Sequence, residues 1–306
     1  MKLLSALSAL ALAQAQSLDK PALTSDLDYL LEGNAANLPT VNSQIAVWEA
    51  GWIPADCKDI AEGQDLTATD FEIFQVQYDD CDDAWLVCRH KEASNDIFTV
   101  ADTFGKLPVR IRDWVRQVLV LPGANSAFAV NGNVAFFGTT GQNVDVMIHE
   151  AAHGLDGFAA FGEPLSTSET FLAAYDADTH VPDNYAQSSQ AENVAQNTVV
   201  AVYDRNVPGG FPGVQPDYKG IFNQYTTIQD FAGDALIPGG TCNRHLENSE
   251  IVAMSTVVGG SGSGNLTTSR LFRKGLGRKP ESGFRNEYRD VVRAGDFEPF
   301  EFRESF

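Results

Sequence analysis

Apolar residues along this chain change rhythm from segment to segment, and each rhythm predicts a different element. The first is a largely apolar run over residues 3–13, interrupted by Ser5 and Ser8, preceded by Lys2 and ending in small-residue sites at Ala11-Leu12-Ala13 and Ala13-Gln14-Ala15. It is too short to cross a bilayer and has the layout of a secretory signal peptide, which predicts residues 1–16 as a leader removed on export. Further on, residues 127–130 and 134–137 are short apolar runs flanking Asn131-Gly132-Asn133, the pattern of a hairpin turn. From Asn143 the period lengthens: Val144, Met147, Ile148, Ala151, Ala152 and Leu155 are apolar, on more than one side of a helix. That distribution predicts a buried helix, with Gly154 and Gly157 as candidate terminators. Ser166-Thr167-Ser168-Glu169 has the form of a capping box and predicts a second helix, with Glu169 as part of the cap. A third is predicted from Ser189 to about Tyr203, with Glu192 on the same stripe as Ala195, Val199 and Val202.

Composition divides the chain into three parts. Residues 17–258 read as one globular domain, and nothing in residues 17–40 separates a mature start from a removable pro-segment. Residues 259–306 open with Gly259-Gly260-Ser261-Gly262-Ser263-Gly264, a flexible linker. The tail beyond it holds 9 basic and 7 acidic residues and reads as a disordered appendage. The sequon Asn265-Leu266-Thr267 falls at this junction. The whole chain is acidic, with 41 acidic against 21 basic residues and a net charge of −20. Such a charge argues against nucleic acid or an anionic membrane as partner, and favours solubility in an extracellular setting. Oligomeric state is not legible.

The four cysteines, Cys57, Cys81, Cys88 and Cys242, make an even set in a chain predicted to be exported. They predict two disulfides with three possible pairings, at least one of them long-range. No pair has the close spacing of a cysteine zinc site. The acidic run Asp79-Asp80-Cys81-Asp82-Asp83 offers a calcium site or, more simply, a solvated disulfide loop.

The most specific chemistry lies inside the first predicted helix, at His149-Glu150-Ala151-Ala152-His153. Residues four apart share a helix face, so both imidazoles can reach one Zn²⁺, while Glu150 stands beside the metal's open side as a general base for water. A third protein ligand is required. The metzincin pattern does not supply it, because its glycine and third histidine positions are Asp156 and Ala159. Carboxylates within reach along the chain are Asp156, Glu163, Glu169, Asp176, Asp178, Asp183 and Glu192. A glutamate on an apolar stripe is costly unless partnered, which favours Glu192. The segment from Asp176 to His180 offers an alternative third ligand. His90, His180 and His245 taken singly read as hydrogen-bonded or surface residues.

Two resemblances add to this. The spacing of the histidine motif, Tyr185 and Glu192 resembles that of gluzincin peptidases of the anthrax lethal-factor and bacterial Pro-Pro endopeptidase type. That likeness implies Glu192 as the third zinc ligand and the Tyr185 hydroxyl as a donor to the oxyanion. Over residues 41–254, the stretches Tyr78-Asp79-Asp80-Cys81, Trp85 to His90, Leu107-Pro108-Val109-Arg110, Gln190-Ala191-Glu192-Asn193, Pro238-Gly239-Gly240-Thr241-Cys242 and Leu246-Glu247-Asn248-Ser249-Glu250 resemble the conidiation-specific secreted proteins of filamentous ascomycetes. This second likeness implies a fungal secreted protein associated with asexual sporulation, and the tail departs from it.

The expectation is therefore an α+β, zincin-like fold, mostly helical, with a small sheet and an edge hairpin ahead of the motif helix. The expected activity is zinc-dependent hydrolysis of a peptide or protein substrate, with His149, His153 and Glu192 on the metal and Glu150 and Tyr185 as catalytic groups. The alternative is a non-catalytic secreted zinc-binding or structural developmental protein on the same scaffold.

Overall fold

Strands whose two faces are both buried lose the alternation that marks a half-exposed strand, and most of this protein's sheet is of that kind. In the computed structural model, which describes residues 17–255 and the pair 291–292, the elements run in the order α1 (Leu31–Asn37), β1 (Ser43–Trp48), β2 (Trp52–Pro54), α2 (Ala55–Gly63), β3 (Phe71–Tyr78), β4 (Trp85–His90), α3 (Ile97–Phe104), α4 (Val109–Arg112), β5 (Gln117–Leu121), β6 (Ser126–Val130), β7 (Asn133–Phe137), α5 (Val144–Gly157), α6 (Glu169–Ala177), α7 (Gln190–Asn206), α8 (Phe222–Ala232), β8 (Ile251–Ala253) and β9 (Val291–Val292). The predicted leader, the Gly-Ser linker and the tail lie outside the described residues, apart from β9.

The main sheet has the strand order β6-β7-β5-β4-β3-β1-β9, with β2 and β8 pairing separately. It is mixed: β1, β3 and β4 are antiparallel neighbours, β4, β5 and β7 run parallel, and β6 returns antiparallel on the outer edge. Alternate residues of the central strands feed two cores. Val87, Val118, Val120, Val134 and Phe136 face the helical layer containing α3, α5 and α7. Leu86, Cys88, Leu119, Leu121 and Ala135 face the side covered by α2 and by the β2–β8 ribbon. The sheet is thus much broader than the single hairpin legible in the sequence.

That hairpin is where the pattern placed it, with Asn131 and Gly132 at φ 50° and 79° turning the two-residue loop between β6 and β7. The cysteines pair Cys57–Cys88 and Cys81–Cys242. The first ties α2 to β4. The second closes a separation of 161 residues, worth about 5 kcal/mol in the chain-entropy account of loop closure. The acidic run around Cys81 is a disulfide loop anchored on the core, since Asp80 pairs with fully buried Arg112, which lies over the Tyr78 and Trp85 rings. Residues 17–40 are integral to the domain: Leu27, Leu30 and Leu38 belong to the main core, and Asn34 donates to Asp145 of α5 at 2.8 Å.

Local corrections arise around α5 and α6. The helix α5 starts as expected, with the Asn143 side chain accepting from the backbone N–H of Asp145 and Val146. Gly154 does not end it; a Cβ there would stand 2.3 Å from the Trp114 carbonyl oxygen, so glycine is required by close packing in the last turn of the helix. The cap of α6 is Ser168 rather than Ser166, its side chain accepting from the Phe171 N–H. Ser166 is diverted because its N–H and hydroxyl both donate to the Asp156 carboxylate, which leaves Glu169 exposed in the first turn and not reaching back as a capping-box partner.

Candidate metal centre

A carboxylate and two imidazoles meet where α5 packs against α7. Residues 149 and 153 are one turn apart on α5, so their rings project from the same side, stacked edge to face with centroids 4.9 Å apart. On α7, Ser189 caps the helix by accepting from the Glu192 N–H at 3.2 Å, which sets Glu192 in the first turn and aims its side chain at the pair. Glu192 Oε2 lies 3.0 Å from His149 Nε2 and 3.2 Å from His153 Nε2, and the two Nε2 atoms are 3.2 Å apart. Two bonds of roughly 2.0–2.1 Å at a tetrahedral angle put ligand atoms about 3.3 Å apart, so the donor set fits a zinc ion.

The protonation pattern points the same way. Gln196, one turn after Glu192, presents its amide oxygen to His149 Nδ1 at 2.9 Å. Its amide nitrogen donates to the buried Asp183 carboxylate, which can only accept, and so the orientation of the amide is set. In its neutral form, His149 would then carry its proton on Nδ1 and turn a lone pair on Nε2 toward a carboxylate oxygen. Lone pairs at such a distance repel unless a cation stands between them. With a proton in that place, His153 is pushed above its usual range: burial would lower it, but the Glu192 carboxylate outweighs burial. Glu192 is held at about 2 because the two histidines outweigh the upward push of burial. A divalent metal in that position would supply more charge.

Glu150 lies beside this cluster, almost fully buried, and its Oε2 finds no hydrogen-bond partner among the described residues. Burial pushes its carboxyl above the usual carboxylate range, against the attraction of His149 and His153. Tyr185 precedes a short 3-10 turn and is half exposed, with its ring 5.5 Å from that of His149. Burial and the nearby carboxylates of Glu192, Glu150 and Asp183 push its hydroxyl up, so it remains a donor.

The structure brings together all five residues singled out by the sequence, His149, Glu150, His153, Tyr185 and Glu192. It disperses the other candidates. Asp156 clasps Ser166, while Glu163, Glu169 and Asp176 are exposed. Asp178 is buried and accepts from the backbone and side-chain amides of both Asn223 and Gln224, at 2.7–3.1 Å. His180 bonds its neighbour Thr179. His90 Nδ1 accepts from Glu92 N–H, and His245 is stacked on Trp85. Asp183 is not a ligand, but it is part of the site through Gln196, which sequence reasoning missed. The available signal was its place four residues after Glu192, on the same helix face. A separate cavity of about 1030 Å³ opens between α4 and residues 237–247, and none of the five residues lines it.

Comparison with known proteins places the chain further. The family described as conidiation-specific protein Con-13 matches residues 25–271, a span containing both disulfides and every residue of the centre. Conidiation-specific protein 13 of Neurospora crassa is 32% identical over 185 residues, which are 58% of this chain and 54% of that protein. The chain thus spans about half the length of this curated relative. No solved structure matches it.

Proposed function

The chain belongs to the Con-13 family of conidiation-specific proteins, and from that membership and the centre on α5 and α7 we propose that it is a secreted, zinc-dependent metallopeptidase of the gluzincin type, acting in asexual sporulation on a zincin-like scaffold. The observation that carries the reading is the convergence of His149, His153 and Glu192 to 3.0–3.2 Å, beside a buried glutamate oxygen that has no partner among the described residues. Both disulfides are compatible with export. Among the described residues no helix is long and apolar enough to cross a membrane.

Zinc held by these three residues would acidify water and polarise a peptide carbonyl. The work of the chain's own groups follows from their surroundings. Glu150 Oε2, raised in affinity for a proton by burial, accepts one from the attacking water and delivers it to the leaving amine. The Tyr185 hydroxyl, half exposed over the His149 ring, donates to the oxygen that gains charge as the carbonyl becomes tetrahedral. Edge strand β6 packs on α5 and presents backbone against which an extended peptide can align. Gln196 and Asp183 hold His149 in place from behind.

The test is cleavage of a peptide library by the secreted protein, with Glu150→Gln as control. Cleavage that requires zinc and vanishes in the variant supports the reading. Zinc binding with no cleavage of any peptide replaces it with the non-catalytic alternative.

A further inference from the structure

Asp183 lies in the loop between α6 and α7, 2% exposed, and contributes no atom to the candidate ligand set. Its two oxygens are both engaged as acceptors. The Ala186 N–H donates to Oδ1 at 2.9 Å, and the Gln196 amide nitrogen donates to Oδ2. The other end of that amide accepts from His149 Nδ1 at 2.9 Å. A carboxylate cannot donate, a primary amide has one donating and one accepting end, and a neutral imidazole has one of each. The polarity of the whole series is therefore decided at Asp183, three groups away from the metal position.

We propose that Asp183 is a positioning residue for the metal centre: by deciding which way round the Gln196 amide sits, it fixes His149 in the only neutral tautomer whose Nε2 can bind a metal. This rests on the zinc reading of the centre, and it extends that reading to a residue outside the ligand set. Metal-bound histidines commonly give their second nitrogen to a carboxylate or carbonyl. Here a neutral amide stands in that place, and an amide can turn over. Without an acceptor-only group behind it, Gln196 has no reason to present its oxygen rather than its nitrogen.

The consequence of Asp183→Asn follows. The oxygen of the introduced amide keeps the Ala186 N–H, so its nitrogen faces the Gln196 nitrogen, donor against donor. Gln196 relieves this by turning over and offers an N–H to His149 Nδ1. The ring proton then moves to Nε2, where it blocks the metal. The double variant Asp183→Asn, Gln196→Glu reverses the series: the introduced amide nitrogen donates to the new carboxylate, which accepts from His149 Nδ1–H, and every donor again has an acceptor.

The experiment measures zinc affinity by chelator competition and reads the histidine tautomer by ¹⁵N NMR in zinc-free protein, for wild type, single and double variants. The expected results are a loss of about ten- to hundredfold in zinc affinity for Asp183→Asn, with its His149 proton on Nε2, and recovery of both in the double variant. Where wild type binds zinc, a single variant that binds it equally well, or a double variant as weak as the single, overturns the proposal. If Asp183→Asn does not fold, the double variant decides, because it must both fold and bind zinc; its failure overturns the proposal. A wild type that binds no zinc yet shows the tautomer exchange retains the positioning role and removes the zinc reading. An unchanged tautomer overturns the positioning role whatever the zinc result.

Discussion

Asp178 and Glu150 are both acids buried in the helical layer, and their surroundings are opposite. Asp178 is 4% exposed and receives four hydrogen bonds, from the backbone and side chains of Asn223 and Gln224. Gln224 Oε1 accepts from Asn193, whose Oδ1 accepts from Asn197, so α7 and α8 are joined by a buried polar network. Glu150 is 5% exposed, and one of its oxygens has no partner among the described residues. Beside it, the two ring nitrogens and the Glu192 carboxylate oxygen stand within 3.2 Å of one another. A buried acid that holds a fold together is surrounded by donors. One kept for chemistry is left short of them, at a cost in stability that the rest of the packing must offset.

The sharpest way to break this contrast is Glu150→Gln. It should keep zinc, since Glu150 is not in the ligand set, and reduce peptide cleavage by roughly 10²–10⁴-fold; full turnover would remove Glu150 from the mechanism. Next is Tyr185→Phe, measured as kcat against KM on a cleaved peptide. Loss of an oxyanion donor should lower kcat by about 10²–10³-fold with little change in zinc content, whereas unchanged kcat would make Tyr185 an ordinary loop tyrosine. Asp178→Ala should invert the pattern. It removes the acceptor of four hydrogen bonds, although Gln224 Nε2 keeps the His180 carbonyl, and is expected to lower unfolding free energy by on the order of 3 kcal/mol, while folded protein retains zinc.

The smallest effect on the centre is expected from Asp145→Asn, in the first turn of α5. Burial pushes the Asp145 carboxyl up to about 7, against the pull of the Asn34 amide. A folded pKa above the unfolded value of about 3.9 means that the group's contribution is fully present below that value and is lost as pH rises through 7. Wild type should therefore lose stability across that window, and the asparagine variant should lose less, with zinc content unaltered. Parallel stability–pH curves for the two proteins would show that Asp145 does not carry this term.

What was legible in the sequence divides along similar lines. The hairpin of β6 and β7 could be read because Asn131-Gly132 accepts the positive φ of its turn. The helix α5 could be read because Asn143 caps a periodic run, and α7 because Ser189 does the same, although α7 continues past Tyr203 to Asn206. Strands β4 and β5 could not be, because Trp85–His90 and Gln117–Leu121 are buried on both faces and show no alternation. Ser166 misled because its side chain could serve either a helix cap or a distant carboxylate, and only packing put Asp156 within reach. Disulfide pairing depends on which distant segments meet in the fold, which spacing alone does not encode. Glu192 was visible as an acid on an apolar stripe. Asp183 was visible only as an acid, because its role depends on an amide that α7 brings to it.

The central claim is that His149, His153 and Glu192 form one metal site. Elemental mass spectrometry of purified wild type and Glu192→Ala tests it most directly. One zinc per chain is expected in wild type, with its loss or marked weakening in the variant. Wild type without zinc even after resupply, or a variant that retains it fully, would mean that these three residues do not form a metal site.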